Sequence, residues 1–426
     1  MRDIWATVRL ALISAVARTP AFLVPVVIAA IFGAGASTDA YFLAYSAVLF
    51  LGGTLAQGLE QAVVPFAANQ LENHQRTARL YLDRTARGAT LVGAALWMTG
   101  VLGLAGVAQM ALRRSVLTYA AAFTPLTLSW SAAAAFSGAL ISQEKIGTST
   151  GSMLWRGLGA LVGLSMAPLG GGLFAVALGL GVGEICRTWW LRSRLYAAVS
   201  HGDSSGVTPL RPLAIAAGAQ ATAGAVVAAA PVVERLLATS LGVGAVSHLE
   251  YGMRLLAVPG VLFDGALVPL LLARWSRQVT AEGYHPTRSE VLHAVRDGIA
   301  LACFLGLLLA GAARGFVHLV LAHGRFTAAD EIAVVGLVRL LAVAFVANVT
   351  AQMLERHYIA TARNRTLAAL SIGRTGIRIL IAWALLATLG LNAFAVGFAV
   401  SECIYLIVLV WLLASPAKAA QIVRAS

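Results

Sequence analysis

The chain has 426 residues, of which 59% are hydrophobic and 12% charged, and its mean hydropathy is +0.82. An ordinary soluble domain carries about 25% charged residues, so this composition excludes one. The 31 Lys and Arg against 18 Asp and Glu give a net charge of +13. These cations sit in short loops between apolar runs rather than in one arm or stripe, a pattern of membrane topology and not of nucleic-acid binding.

Apolar windows of roughly 20 residues recur along the chain, each long enough to cross a hydrocarbon core of about 30 Å. The fold class read from them is an all-α polytopic membrane protein. Charges near the N-terminus with no small-residue cleavage site after a short apolar core predict no removable signal peptide. Twelve spans are predicted. Six in the first half cover residues 8–32, 41–67, 89–112, 117–141, 149–167 and 173–190. Six in the second cover 213–241, 246–272, 291–309 with a continuation toward 322, 332–354, 367–389 and 393–414.

Alternate loops carry Arg76, Arg79, Arg84 and Arg87, then Lys145, then Arg192, Arg194 and Arg211, then Arg274, Arg277 and Arg288, then Arg356, Arg363 and Arg365. The loops between them are nearly free of charge, with Arg113, Arg114 and Arg325 as exceptions. An even span count and this bias place both termini in the cytoplasm.

Residues 200–212, polar and containing H-G-D-S-S-G and two prolines, read as a cytoplasmic linker between six-helix halves 1–199 and 213–426. A-V-V-P ending at Pro65 recurs as A-L-V-P ending at Pro269, each near the cytoplasmic end of the second helix of its half. Equal helix counts make the relation a parallel repeat, an arrangement that puts substrate between the halves near the midplane. Pro20 and Pro25 in the first span and Pro231 in the seventh are expected to interrupt their helices.

No nucleotide-binding loop, nucleophile elbow or metalloprotease motif occurs, and no extramembrane segment is long enough for a catalytic domain. Cys186, Cys303 and Cys403 lie far apart in or beside apolar runs, without ligand spacing, so neither a metal site nor a disulfide framework is supported.

Charge inside the spans is the chemical signal, since ionisable side chains there face protein or a water-filled cavity rather than lipid. Asp39 stands at the mouth of the second span, where it or Thr38 could also cap the helix. Arg156, Glu184 and Glu402 have a structural reading, by snorkelling or a neighbour on another helix. Glu250 and Arg254 are four apart and read as a local ion pair, and Arg374 and Arg378 form a basic stripe. Glu234 and Arg235 are adjacent and point about 100° apart. Arg18 on the first helix, Arg254 on the eighth and Arg235 on the seventh would border a cleft between halves. A guanidinium cannot shed its charge, and its fork matches phosphate oxygens. Arginine–glutamate pairing alone also accounts for them.

Three stretches carry a resemblance. Residues 31–44 read I-F-G-A-G-A-S-T-D-A-Y-F-L-A and are followed by Q-G-L-E-Q-A-V-V-P ending at Pro65. Residues 234–269 run from E-R-L-L-A-T-S-L to F-D-G-A-L-V-P, and residues 323–330 read H-G-R-F-T-A-A-D. Together they resemble the MurJ (MviN-like) lipid II flippase family of the multidrug/oligosaccharidyl-lipid/polysaccharide exporter superfamily, over nearly the full length. The resemblance implies two six-helix bundles around a central cavity. Arg18, Asp39 and Arg254 match positions important in that family. An arginine–acid pair of the first helix and an arginine of the second are replaced here by Val24, Pro25 and Gly52, and the acid of its A-E-G motif by Gln57, with Glu60 one turn on. The twelve spans also include no counterpart of the family's extra C-terminal pair of helices, associated with a lipid-tail groove.

The implied activity is flipping of lipid II or a similar polyprenyl-diphosphate-linked sugar across the bacterial inner membrane by alternating access, without enzymatic chemistry or a bound cofactor. Arg18, Arg254 and Arg235 would hold the diphosphate. Asp39, Glu60, Glu234 and Asp264 would pair with them or gate, with Na+, H+ or membrane potential as the drive. Two alternatives remain: an ion-coupled multidrug or metabolite exporter of the same superfamily, and a non-transporting partner in envelope assembly.

Overall fold

The computed structural model describes residues 2–73, 75–107, 110–143, 145–197, 209–263, 287–361 and 363–414, with 267–268, 270–272 and 274–275. Among the described residues there is no strand. Among the described residues, every predicted span falls on helix. The first is α1 (Arg2–Phe32); the second is α2 (Ala36–Val48) and α3 (Thr54–Asn73), joined by a π-helical turn, Leu49–Gly53. Then come α4 (Gln75–Val107), α5 (Met110–Ser142), the short α6 (Ile146–Gly151) leading into α7 (Met153–Met166), and α8 (Gly172–Tyr196). The second half holds α9 (Arg211–Ala238), α10 (Ala245–Leu262), α11 (Arg288–Gly311) with its short continuation α12 (Ala313–Leu321), α13 (Ala328–Ala360), α14 (Asn364–Leu389) and α15 (Asn392–Ala414). Nine helical stretches among the described residues are long and apolar enough to cross a membrane.

Pro20, Pro25 and Pro231 lie inside continuous helix, so the expected interruptions do not end α1 or α9. A proline removes one intrahelical bond, whereas ending the helix in an apolar medium would strand several backbone groups. The irregular backbone lies instead at the π turn of the second span. Two glycines close it. A Cβ at Gly52 would lie 3.2 Å from Thr127 Cγ2, and one at Gly53 3.2 Å from the Trp130 ring.

The helices gather into two compact units, Met1–Ile28 with Gly35–Thr239, and Ala29–Ala34 with Ser240–Ser426. Grouping by contact thus keeps α9 with the first unit, since a Cβ on Gly58 of α3 would lie 2.6 Å from the Ala221 backbone. The sequence division into 1–199 and 213–426 follows the repeat and not contact, and most of its linker lies outside the described residues.

In unit 1 the core is alanine-rich: Ala133, Ala134, Ala135 and Ala139 of α5 pack with Val63, Leu82 and Leu191. Small side chains let helices approach closely where water provides no driving force between them. In unit 2 the long α13 forms the centre, with Val334, Leu337, Val338 and Leu341 buried. Large apolar side chains such as Leu91, Leu102, Leu307 and Leu380 point outward, as a lipid-facing surface requires.

The two units share a hairpin. Residues 172–179 read G-L-F-A-V-A-L-G and 390–397 read G-L-N-A-F-A-V-G. Gly172 at φ +52° and Gly390 at φ +54° both take a positive φ between the fifth and sixth spans of their halves. The glycine ending each motif is a point of contact: a Cβ at Gly179 would lie 2.3 Å from Gly159 O, and one at Gly397 2.7 Å from Arg378 O. This correspondence supports a parallel repeat far better than the A-V-V-P echo does.

Candidate functional site

The close approach of α7 and α8 sets the main charged cluster of unit 1. Gly159 and Gly163 on α7 meet Gly179 and Gly183 on α8 almost backbone to backbone. That contact brings Arg156 to Glu184: Nε donates to Oε2 at 2.6 Å. Glu184 also accepts from Arg187 Nη1 at 2.8 Å, and Arg187 Nε donates to Ser152 Oγ at 2.9 Å. Glu184 and Arg187 are buried, while the Arg156 side chain keeps 14% exposure.

The Arg156 guanidinium lies over the Trp130 indole at 3.9 Å, and Tyr45 is near enough to act on it electrostatically. Its Nη2 has no hydrogen-bond partner among the described residues. Glu60, on α3, faces Ser137 and lies in the fields of Arg187 and Glu184. It forms no ion pair with either arginine.

Unit 2 holds the matching cluster, with one difference. Arg374 Nη1 lies 3.4 Å from Glu402 Oε2 and 3.7 Å from Glu355 Oε1, and its guanidinium stands 4.5 Å from the Tyr405 ring centre. Tyr405 closes the set by donating to Glu355 at 2.8 Å. Here two acids flank Arg374, and Arg378 also lies in the field of Glu402.

The residues expected from the sequence separate by unit. Arg254 of α10 donates to Glu250 at 2.6 Å, the local pair its spacing suggests, with side-chain exposures of 32% and 2%. Arg235 donates to the Pro231 carbonyl at 2.8 Å. Glu234, Arg235 and Asp39 are buried. Asp39 does not cap α2: Gly35 is the N-cap, and Thr38 Oγ1 accepts from Gly35 N at 2.8 Å. The side chain of Arg18 and all of Asp264 lie outside the described residues.

The H-G-R-F-T-A-A-D stretch is a built corner of unit 2. Asp330 accepts from Thr327 N at 2.8 Å while Thr327 Oγ1 accepts from Asp330 N at 3.2 Å, a reciprocal cap on α13. His248 meets Asp330 at 2.7 Å. Arg325 N donates to Ala30 O at 2.8 Å and Tyr251 to Gly33 O at 2.8 Å, tying this corner to the segment 29–34.

The profile described as "Lipid II flippase MurJ" matches residues 28–424. The chain belongs to the MurJ lipid II flippase family. Among solved structures it is similar to a lipid II flippase MurJ in an inward closed conformation, with a TM-score of 0.78 and 16% identity over 96% of this chain and 87% of that one. It is equally similar in shape to an inward-facing MATE multidrug transporter of the MOP superfamily, with a TM-score of 0.78 and 12% identity over 98% and 99% of the two chains. A MOP superfamily transporter from Pyrococcus furiosus follows with 0.72 and 13% over 98% and 96%. At these identities the structural likeness speaks for the fold. No curated protein matches the chain by sequence.

Within this MurJ family frame, Val24 is a buried core residue and Gly52 packs on Thr127 and Trp130. Reading the sequence missed Arg187, Trp130, Glu355 and Tyr405. The repeated G-L-x-A-x-A-x-G hairpin carried the signal, because it aligns Glu184 with Glu402 and Arg156 with Arg374.

Proposed function

We propose that this protein flips a lipid-linked glycan precursor, lipid II or a similar polyprenyl-diphosphate-linked sugar, from the cytoplasmic to the outer leaflet by alternating access. The observation that carries the reading is the family match over residues 28–424. The diphosphate and sugar enter a polar cleft while the prenyl tail stays in lipid. Arg18, Arg254 and Arg235 hold the diphosphate through their guanidinium forks. Asp39, Glu60, Glu234 and Asp264 balance these charges when the cleft is empty and gate its closure. No covalent step takes place. The protein sits in the bacterial inner membrane with both termini cytoplasmic, and a Na+ or H+ gradient or the membrane potential drives the cycle, the last contributing about 2.3 kcal/mol per charge per 100 mV.

The test is rescue of cells depleted of their lipid II flippase, with headgroup translocation measured directly. Rescue by the wild type and its loss in Arg254→Ala at normal expression is the expected result. No rescue, together with unchanged glycan export in a deletion strain, overturns the reading and favours a non-transporting partner.

A second reading, an ion-coupled exporter, is compatible with the fold shared with a MATE transporter. It predicts sodium- or proton-dependent efflux of small molecules that does not depend on prenyl diphosphates.

A further inference from the structure

Unit 1 and unit 2 offer an internal comparison. Both hold an arginine on the fifth span and a glutamate on the sixth, 28 residues apart. In unit 2 the arginine is closed in: Arg374 lies between Glu402 and Glu355, and Tyr405 binds the second acid. In unit 1 a serine, Ser137, stands where unit 2 has Glu355, and an arginine, Arg187, where it has Tyr405. The single acid Glu184 is therefore shared by two arginines, and the directly bonded set carries one positive charge in excess. Glu60 faces this set without forming an ion pair to it.

Arg187 and Glu184 are buried, and Arg187 Nε donates to Ser152 Oγ. Arg156 is the partly exposed member, and it has a buried Nη2 without a partner among the described residues. Trp130 fixes the plane of its guanidinium at 3.9 Å. The indole is itself seated against the two glycines of the π turn, where a side chain would fill the space. π-Helical turns are frequent at functional sites, and this one lies beside the residue that orients the guanidinium. Arginine keeps its charge in an apolar surrounding, and a phosphate oxygen is a fitting acceptor for its remaining N–H.

We propose that Arg156, oriented by Trp130 and held by Glu184, is a phosphate-contacting residue of unit 1. The ligand class is a prenyl diphosphate. This rests on the flippase reading and adds to it an arginine on the fifth span that the three arginines named above do not include.

The experiment is isothermal titration of the detergent-purified full chain with farnesyl diphosphate, and with inorganic pyrophosphate in a separate arm. Arg156→Gln leaves Glu184 paired to Arg187, so the fold is kept. It weakens farnesyl diphosphate binding by about tenfold to a hundredfold, the worth of one charge-assisted hydrogen bond. Arg374→Gln changes the affinity by less than about twofold, as an independent site should.

Wild-type affinity in Arg156→Gln, or an equal loss in Arg374→Gln, overturns the proposal. So does weakening confined to the pyrophosphate arm, which marks a site for free diphosphate. Should Arg156→Gln fail to fold, Arg156→Lys decides, since it keeps the charge and loses the fork: wild-type affinity in that variant overturns the assignment. Failure of the wild type to rescue flippase-depleted cells while Arg156-dependent binding persists sinks the transport reading alone. Rescue that persists without Arg156-dependent binding sinks this inference alone.

Discussion

Arg156 reaches Glu184 at 2.6 Å across the hairpin of the fifth and sixth spans. The same separation of 28 residues joins Arg374 to Glu402 at 3.4 Å. The two pairs differ in what else the glutamate must do. Glu184 is the acid bonded to both Arg156 and Arg187, whereas Glu402 shares Arg374 with Glu355. Removing one partner of a buried pair typically costs about 3–5 kcal/mol, because the survivor is left charged and unpaired. Glu184→Ala should therefore destabilise by about that amount and Glu402→Ala by clearly less. Thermal unfolding of the detergent-purified variants measures the difference; equal falls in melting temperature would count against the asymmetry.

A second prediction concerns the contact that creates the first pair. A Cβ at Gly183 would lie 2.5 Å from Trp155 O, and one at Gly159 2.2 Å from Gly179 O. Gly183→Leu should push α8 off α7 and cost at least the 1–3 kcal/mol typical of overpacking, about. Gly373 and Gly376 of α14 have open space around them, so Gly373→Ala should stabilise by up to about 1 kcal/mol through helix propensity. Opposite signs for the two substitutions in the same unfolding assay are the expected outcome.

The spans were legible because hydropathy and length act locally, and a helix in lipid has little alternative. All twelve fell on helix among the described residues. The Glu250–Arg254 pair was legible for the same reason, since i,i+4 neighbours meet on any helix. Arg156 and Glu184 were not, because 28 residues of separation becomes 2.6 Å only after Gly172 turns the chain and the glycine faces let α7 and α8 touch. Of the two capping candidates, Thr38 accepts from the N-cap Gly35, whereas Asp39 stands a residue further on in a helix that begins at Ala36. The π turn left no mark except Gly52 and Gly53, and a glycine pair reads equally well as helix packing.

The cap on α13 gives a third prediction. Thr327 accepts from Asp330 N, and Asp330 holds both Thr327 and His248. Thr327→Ala should cost about 1 kcal/mol of local stability. Asp330→Asn should cost more locally, since it weakens the cap and the bond to His248 together. Hydrogen exchange of peptides covering 323–331 reads this directly. Faster exchange there, with no change in the 172–196 hairpin, is expected; a uniform increase would show that the corner is coupled to the whole fold.

Topology supplies the last prediction. Arginines crowd the loops after the second, sixth and eighth spans, and the loops between carry almost none, as positive charge retained in the cytoplasm requires. In a variant whose Cys186, Cys303 and Cys403 are replaced by serine, single cysteines can be placed at exposed sites on either side. Val243→Cys lies in the uncharged turn between α9 and α10, and Ser193→Cys and Ser289→Cys lie beside arginine-bearing ones. A membrane-impermeant maleimide should label Val243→Cys in intact cells and the other two only after permeabilisation. Labelling of Ser193→Cys in intact cells would invert the protein. The diphosphate would then meet the arginines from the wrong leaflet, and the proposed direction of flipping would fail with it.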